Sequence, residues 1–254
     1  ELTNSLTCPL GHKCPLGSSS PTPCDAGQYQ DVTGQFECKE CLSGYFCDGA
    51  TITPQDHPCP AGYYCPNATE FSTEFPCPTG TFSNDTKLEN VGQCTECTGG
   101  QYCEATHLIE PTGDCLAGFY CGLGSNVSSP FDSNSPYSIN YDGNTCVQVR
   151  NFTVNDICPP GHYCPTGSSA PLQCPQGTNS TSTGLPNATS CQDCIQGYYC
   201  PNNGTVLATQ QCLPGSYCPA GTGELTNSLT CPLGHKCPLG SSSPTPCDAG
   251  QYQD

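Results

Sequence analysis

The chain has 254 residues, 26 of them cysteine, 28 glycine and 26 proline, with neither Met nor Trp. Apolar residues reach 34% only when cysteine is included, too little for one large packed core, so disulfides are expected to hold the chain. The formal charge of −17 excludes nucleic acid and anionic membrane surfaces as partners, since both select basic patches.

So many cysteines imply an oxidising compartment: secreted or cell-surface. No stretch approaches the run of about 18 apolar residues that a transmembrane helix needs, so none is expected in this segment. Glu1–Asp31 and Glu224–Asp254 are identical, position for position. This is a tandem array whose period runs from Glu1 to Gly223, and the chain, which opens inside a repeat, is read as a piece of a longer secreted protein.

In chain order the cysteine spacing divides the sequence as follows: module I over 1–58, module II over 59–114, a degenerate module III over 115–157, module IV over 158–211, a two-cysteine stub over 212–223, and the next identical period from 224 to 254. A full module has six cysteines, as from Cys8 to Cys47 and from Cys59 to Cys103. Two motifs fill it. One is C-x-x-G-[YHFQS]-[YFK]-C, as at Gly44–Cys47, Gly62–Cys65, Gly118–Cys121 and Gly197–Cys200; the other is C-[PD]-x-G-x-[YFN] at Cys24, Cys77 and Cys174. Glycine supplies turns with positive φ, and the aromatic beside the cysteine can cover a neighbouring disulfide. No window keeps helical periodicity over three turns; Thr145–Asn151 and Gly204–Thr209 read as short strands. The expected fold is therefore small disulfide-rich modules in tandem, an extended rod of short β ladders and irregular loops with almost no helix. Each module should touch mainly its neighbours.

These C-P-x-G-x-Y-C and C-P-x-G-T-[YF]-S…C-x-x-C patterns resemble the ephrin-receptor-like cysteine-rich repeats over nearly the whole chain. Long arrays of such repeats occur in protist and algal surface proteins, including the mastigoneme proteins of flagellar hairs. The resemblance implies disulfide rods without catalysis; 134–142 and the closing stub depart from it.

Three bridges are expected across the loop of variable length: Cys24–Cys38, Cys77–Cys94 and Cys174–Cys191. Interlaced pairs are expected across the longer gaps that follow: Cys41–Cys59 with Cys47–Cys65, Cys97–Cys115 with Cys103–Cys121, and Cys194–Cys212 with Cys200–Cys218. Two staggered bridges would fix the angle between modules where one leaves a hinge. Cys8–Cys14 completes the start. Cys231, Cys237 and Cys247 belong to the second copy, which leaves one period an odd number of cysteines. Of Cys146, Cys158 and Cys164, Cys158 is expected to be left over.

The C-x-x-C pairs Cys38/Cys41, Cys94/Cys97 and Cys191/Cys194 could be zinc knuckles or redox pairs, but the spacing suits two cysteines of different disulfides better. The histidines, His12, His57, His107, His162 and His235, read as packing or surface residues. The acidic residues form no D-x-[DN]-x-[DN]-G loop, so no metal or cofactor is expected; they read as a solvated acidic surface, with calcium bridging between acidic filaments as the lesser alternative. N-x-[ST] sequons stand at Asn67, Asn84, Asn126, Asn151, Asn179, Asn187 and Asn203, and Ser/Thr/Pro tracts such as 18–23 suit O-linked sugars. The functional expectation is a non-enzymatic structural unit of an extracellular glycosylated filament, a mastigoneme-like hair or coat on a cell or flagellar surface. Its partners would be identical repeats, head to tail, with other filament chains as a further class. The alternative is the ectodomain of a receptor or adhesin. A receptor diversifies its repeats to fit one ligand, whereas a fibre reuses one unit.

Overall fold

The computed structural model describes residues 7–130, 155–226 and 229–251. Two compact bodies contain them: Glu1–Thr98 with Tyr102–Gly113 and Leu123–Val127, and Gly99–Gln101 with Asp114–Gly122 and Ser128–Asp254. Both use one building block, a turn of chain that opens at a cysteine and closes with one disulfide. In the first body turns open at Cys8, Cys24, Cys41, Cys59, Cys77 and Cys97. In the second they open at Cys115, Cys158, Cys174, Cys194, Cys212 and Cys231. The openings follow one another at near-even intervals, apart from the long step between Cys115 and Cys158. A six-cysteine module of the sequence is therefore three such turns, each with its own bridge.

Glycine makes the turn. The third residue after each opening cysteine is a glycine at positive φ, such as Gly27 (+78°), Gly80 (+81°) and Gly197 (+84°). This reversal brings the chain back beside its own start. In most turns a second cysteine stands three places past that glycine, and the two bridge within the turn, as Cys41–Cys47 and Cys59–Cys65 do. Where that position holds Gln30, Ser83 or Ser180, the opening cysteine reaches the end of the turn instead, giving the expected Cys24–Cys38, Cys77–Cys94 and Cys174–Cys191. These three polar residues are buried in the missing sulfur's place, each with local hydrogen bonds. Gln30 Nε2 donates to the Glu37 carbonyl at 2.7 Å, and Ser83 and Ser180 Oγ accept from Asp85 and Ser182 N–H.

The interlaced pairing is corrected. The bridges are Cys41–Cys47, Cys59–Cys65, Cys97–Cys103, Cys115–Cys121, Cys194–Cys200 and Cys212–Cys218, each inside one turn. The glycine reversal already sets their Cα atoms 5.8–6.0 Å apart, so the local partner is met first. Cys8 pairs with Cys14 as expected. Cys158 is not left over; it pairs with Cys164. Of the other candidates for the odd thiol, Cys146 lies outside the described residues. Cys247 carries no bridge; it is the copy of Cys24, whose partner is Cys38.

Regular structure is sparse among the described residues. There are nine two-stranded ladders, such as His12–Lys13 with Thr22–Pro23 and Phe119–Cys121 with Asn155–Ile157, and 3₁₀ turns at Pro54–Asp56, Val91–Gln93 and Ala188–Ser190. Among the described residues there is no α-helix, and no helix long and apolar enough to cross a membrane. Gly204–Thr209 is not a strand: Gly204 takes φ +71°, and the ladder begins only at Gln210. Thr145–Asn151 lies outside the described residues.

The core is made of sulfur. Apart from cysteines and prolines such as Pro54, the buried apolar side chains of the core among the described residues are Tyr29, Leu88 and Tyr120. Tyr29 packs on Cys41–Cys47 of the following turn, Tyr64 on Cys77–Cys94, and Tyr120 on Cys158–Cys164. The aromatic two places past the glycine therefore covers the next turn's bridge, so each of these turns supplies part of its neighbour's core.

Candidate assembly site: the junction between turns

Four backbone hydrogen bonds join one turn to the next. From the turn at Cys24 to that at Cys41, Cys41 N–H donates to the Gly27 carbonyl at 2.8 Å and Gly27 N–H to Cys47 at 2.7 Å; Ala50 N–H donates to Cys24 at 3.0 Å and Gln30 N–H to Thr51 at 3.0 Å. The same four recur at other junctions in both bodies, for example Cys194 to Gly177, Gly177 to Cys200, Gly204 to Cys174 and Ser180 to Thr205. The ladder satisfies backbone groups that so little secondary structure would otherwise leave unpaired. Side chains reinforce it from within the turn: Thr69 and Thr222 hydroxyls donate to the Pro66 and Pro219 carbonyls, both at 2.6 Å, closing the C-P-x-[AG]-T corner.

Each turn has a second left-handed residue, the one whose N–H reaches back to the previous opening cysteine. Here a side chain is tolerated: Ala50, Ala68, Lys87 and His107 stand there at φ +51° to +66°. The two bulky ones reach an aromatic two turns earlier. Lys87 Nζ lies 5.5 Å from the Tyr45 ring centroid, and the His107 ring stacks on Tyr63 at 5.8 Å. These contacts offset the strain of a left-handed backbone. Lys87→Ala keeps that strain and loses the cation–π contact, so it is expected to destabilise by ~0.5–1 kcal/mol. Lys87→Gly loses both and should be close to neutral; urea denaturation followed by tyrosine fluorescence separates the two.

The junction between periods is made the same way. Where the second copy of the repeat begins, Cys231 N–H donates to Gly215 at 2.8 Å, Gly215 N–H to Cys237 at 2.9 Å, Gly240 N–H to Cys212 at 2.8 Å and Cys218 N–H to Ser241 at 2.9 Å. The ion pair Lys13–Asp25 of the first copy recurs in the second as Lys236–Asp248, both at 2.6 Å. Lys39 pairs with Asp31 at 2.5 Å. That hydrogen bond holds the Asp31 carboxyl below its usual range and raises the Lys39 ammonium. The small contribution of this exposed pair is present above the ordinary aspartate range and lost on acidification below it. Every described lysine is thus engaged, and most described carboxylates face solvent without a cation.

Each C-x-x-C spans the end of one turn and the start of the next, its two cysteines in different bridges. His12, His162 and His235 bond the carbonyl two places earlier, and His57 packs edge-on against Phe46. No group of three or more metal-ligating side chains occurs among the described residues. Asn67, Asn84, Asn126, Asn187 and Asn203 are exposed, Asn179 is buried, and Asn151 lies outside the described residues. Division into six-cysteine modules misses the single-bridge turn and the roles of Gln30, Ser83 and Ser180. The signal is present in the sequence as a recurring Cys-x-x-Gly with either cysteine or a polar residue three places on.

No protein-family model matches the chain, and no curated protein matches it.

Proposed function

We propose that this chain is the repeat unit of an extracellular, glycan-coated filament or surface coat, resembling mastigoneme hairs, in which copies run head to tail and no catalysis takes place. The observation that carries the reading is the period junction: the four hydrogen bonds that hold turns together inside a period also hold the last turn of one period to the first turn of the next. An array joined this way can lengthen without a special linker, and identical copies place identical surfaces at fixed spacing. The disulfides, one per turn, suit a compartment where they persist and a product that must last without turnover. The net charge of −17, with three of the four described lysines in ion pairs and Lys87 over the Tyr45 ring, opposes lateral clumping of neighbouring fibres. Electron microscopy of the native material tests the reading. A regular axial repeat is the expected result; isolated rods with no axial repeat would favour the receptor or adhesin instead.

A further inference from the structure

We propose that Asn67 and Asn203 are one structural site used twice, which carries an N-linked oligosaccharide in a fixed orientation, and that Asn179 stays bare despite its sequon. The proposal rests on the extracellular part of the reading above. Asn67 and Asn203 both precede the second left-handed residue of their turn, Ala68 and Gly204. Both are exposed, and both use the side-chain oxygen in the same way. Asn67 Oδ1 accepts from Ser43 N–H at 2.9 Å, and Asn203 Oδ1 accepts from Gln176 N–H at 2.8 Å, in each case the second residue after the previous turn's opening cysteine. Pinning the oxygen to the backbone fixes the plane of the carboxamide and turns Nδ2, the atom that bears a glycan, to the opposite side. A substituted Nδ2 leaves Oδ1 free to accept, so sugar and hydrogen bond are compatible.

Asn179 presents the reverse geometry. It stands in the ladder Thr178–Asn179 opposite Gln192 and is 8% exposed. Its Nδ2 donates to the Val206 carbonyl at 3.4 Å, and its Oδ1 is buried without a partner. The corresponding residues of the other long turns are Tyr29 and Phe82, so Asn179 occupies an aromatic position facing the next turn. An oligosaccharide on Nδ2 would break the Val206 contact and has no room between turns.

The modification is a group transfer. Asn Nδ2 bonds to the anomeric carbon of a lipid-pyrophosphate-linked oligosaccharide. The anomeric C–O bond breaks with its electron pair leaving on the lipid pyrophosphate, and the amide gives up one proton to the transferase's base. Thr69, which completes the first sequon, is 1% exposed with its hydroxyl bonded to Pro66. The sequon is therefore read before its turn closes. A chain modified at Asn179 at that stage could not close its turn and would be lost before secretion.

Intact-glycopeptide mass spectrometry of the native secreted protein tests this. The expected pattern is sugar on Asn67 and Asn203 and unmodified Asn179; a bare Asn67, a bare Asn203 or an occupied Asn179 overturns it. Asn67→Asp removes the sequon and keeps an acceptor for Ser43. It is expected to be secreted normally and to lose one glycan's mass, whereas unchanged mass counts against the site. Microscopy reads the filament independently, so an unoccupied site and an absent fibre are separate results.

Discussion

Gly80→Ala is expected to unravel the turns around it, with loss of at least ~3 kcal/mol of local stability and a sharp fall in correctly bridged protein. Gly80 has φ +81°, where an L side chain costs ~1–2 kcal/mol. Its added Cβ would also sit 2.5 Å from the Gly124 carbonyl oxygen, two turns on. That carbonyl cannot step aside cheaply, because Gly124 N–H donates to Cys97 at 2.9 Å and Cys103 N–H to Ser125 at 2.9 Å. Moving the segment loses hydrogen bonds worth ~1 kcal/mol each. Gly167→Ala is the control. Gly167 has φ +77° but only Asp114 side-chain atoms near its Cβ position, the closest at 3.9 Å. It should show the backbone strain alone, ~1–2 kcal/mol. Disulfide mapping and urea denaturation read both variants; equal effects would mean the approach between alternate turns is not what requires glycine.

Composition alone points to a disulfide-held chain, and the variable loops mark the three long bridges correctly. The short bridges are misread because the short gap between two cysteines looks equally able to close on itself or to interlace with the next module. What decides is the left-handed glycine between the cysteines, and a sequence shows the glycine but not the reversal it makes. The repeating unit is misread for a related reason. Long turns, ending at Cys38, Cys94 and Cys191, alternate unevenly with short ones, so the cysteine pattern repeats once per module while the backbone repeats once per turn. Sequons are legible as a motif but not as sites: Asn179 and Asn203 read alike until one proves buried in a ladder and the other exposed at a corner.

Removing one bridge should damage its own turn and leave distant turns intact. In Cys77→Ser/Cys94→Ser the lost ring closes a sequence separation of 17, which in the chain-entropy account corresponds to ~3 kcal/mol; in Cys59→Ser/Cys65→Ser the separation is 6, corresponding to ~2 kcal/mol. The first variant also disturbs the packing of Tyr64 and Leu88 on that bridge, so the gap between the two should widen beyond the entropic difference. Among the described residues no bridge crosses from one turn to another, and backbone hydrogen bonds carry the connection. Stability is then a sum over turns and their junctions rather than one cooperative whole. Hydrogen exchange in Cys77→Ser/Cys94→Ser is expected to accelerate over 77–96 and at the two flanking junctions, while amides of 8–23 and 212–223 keep their protection. Uniform acceleration along the chain would instead require a single cooperative unit, which a series of separately bridged turns cannot form.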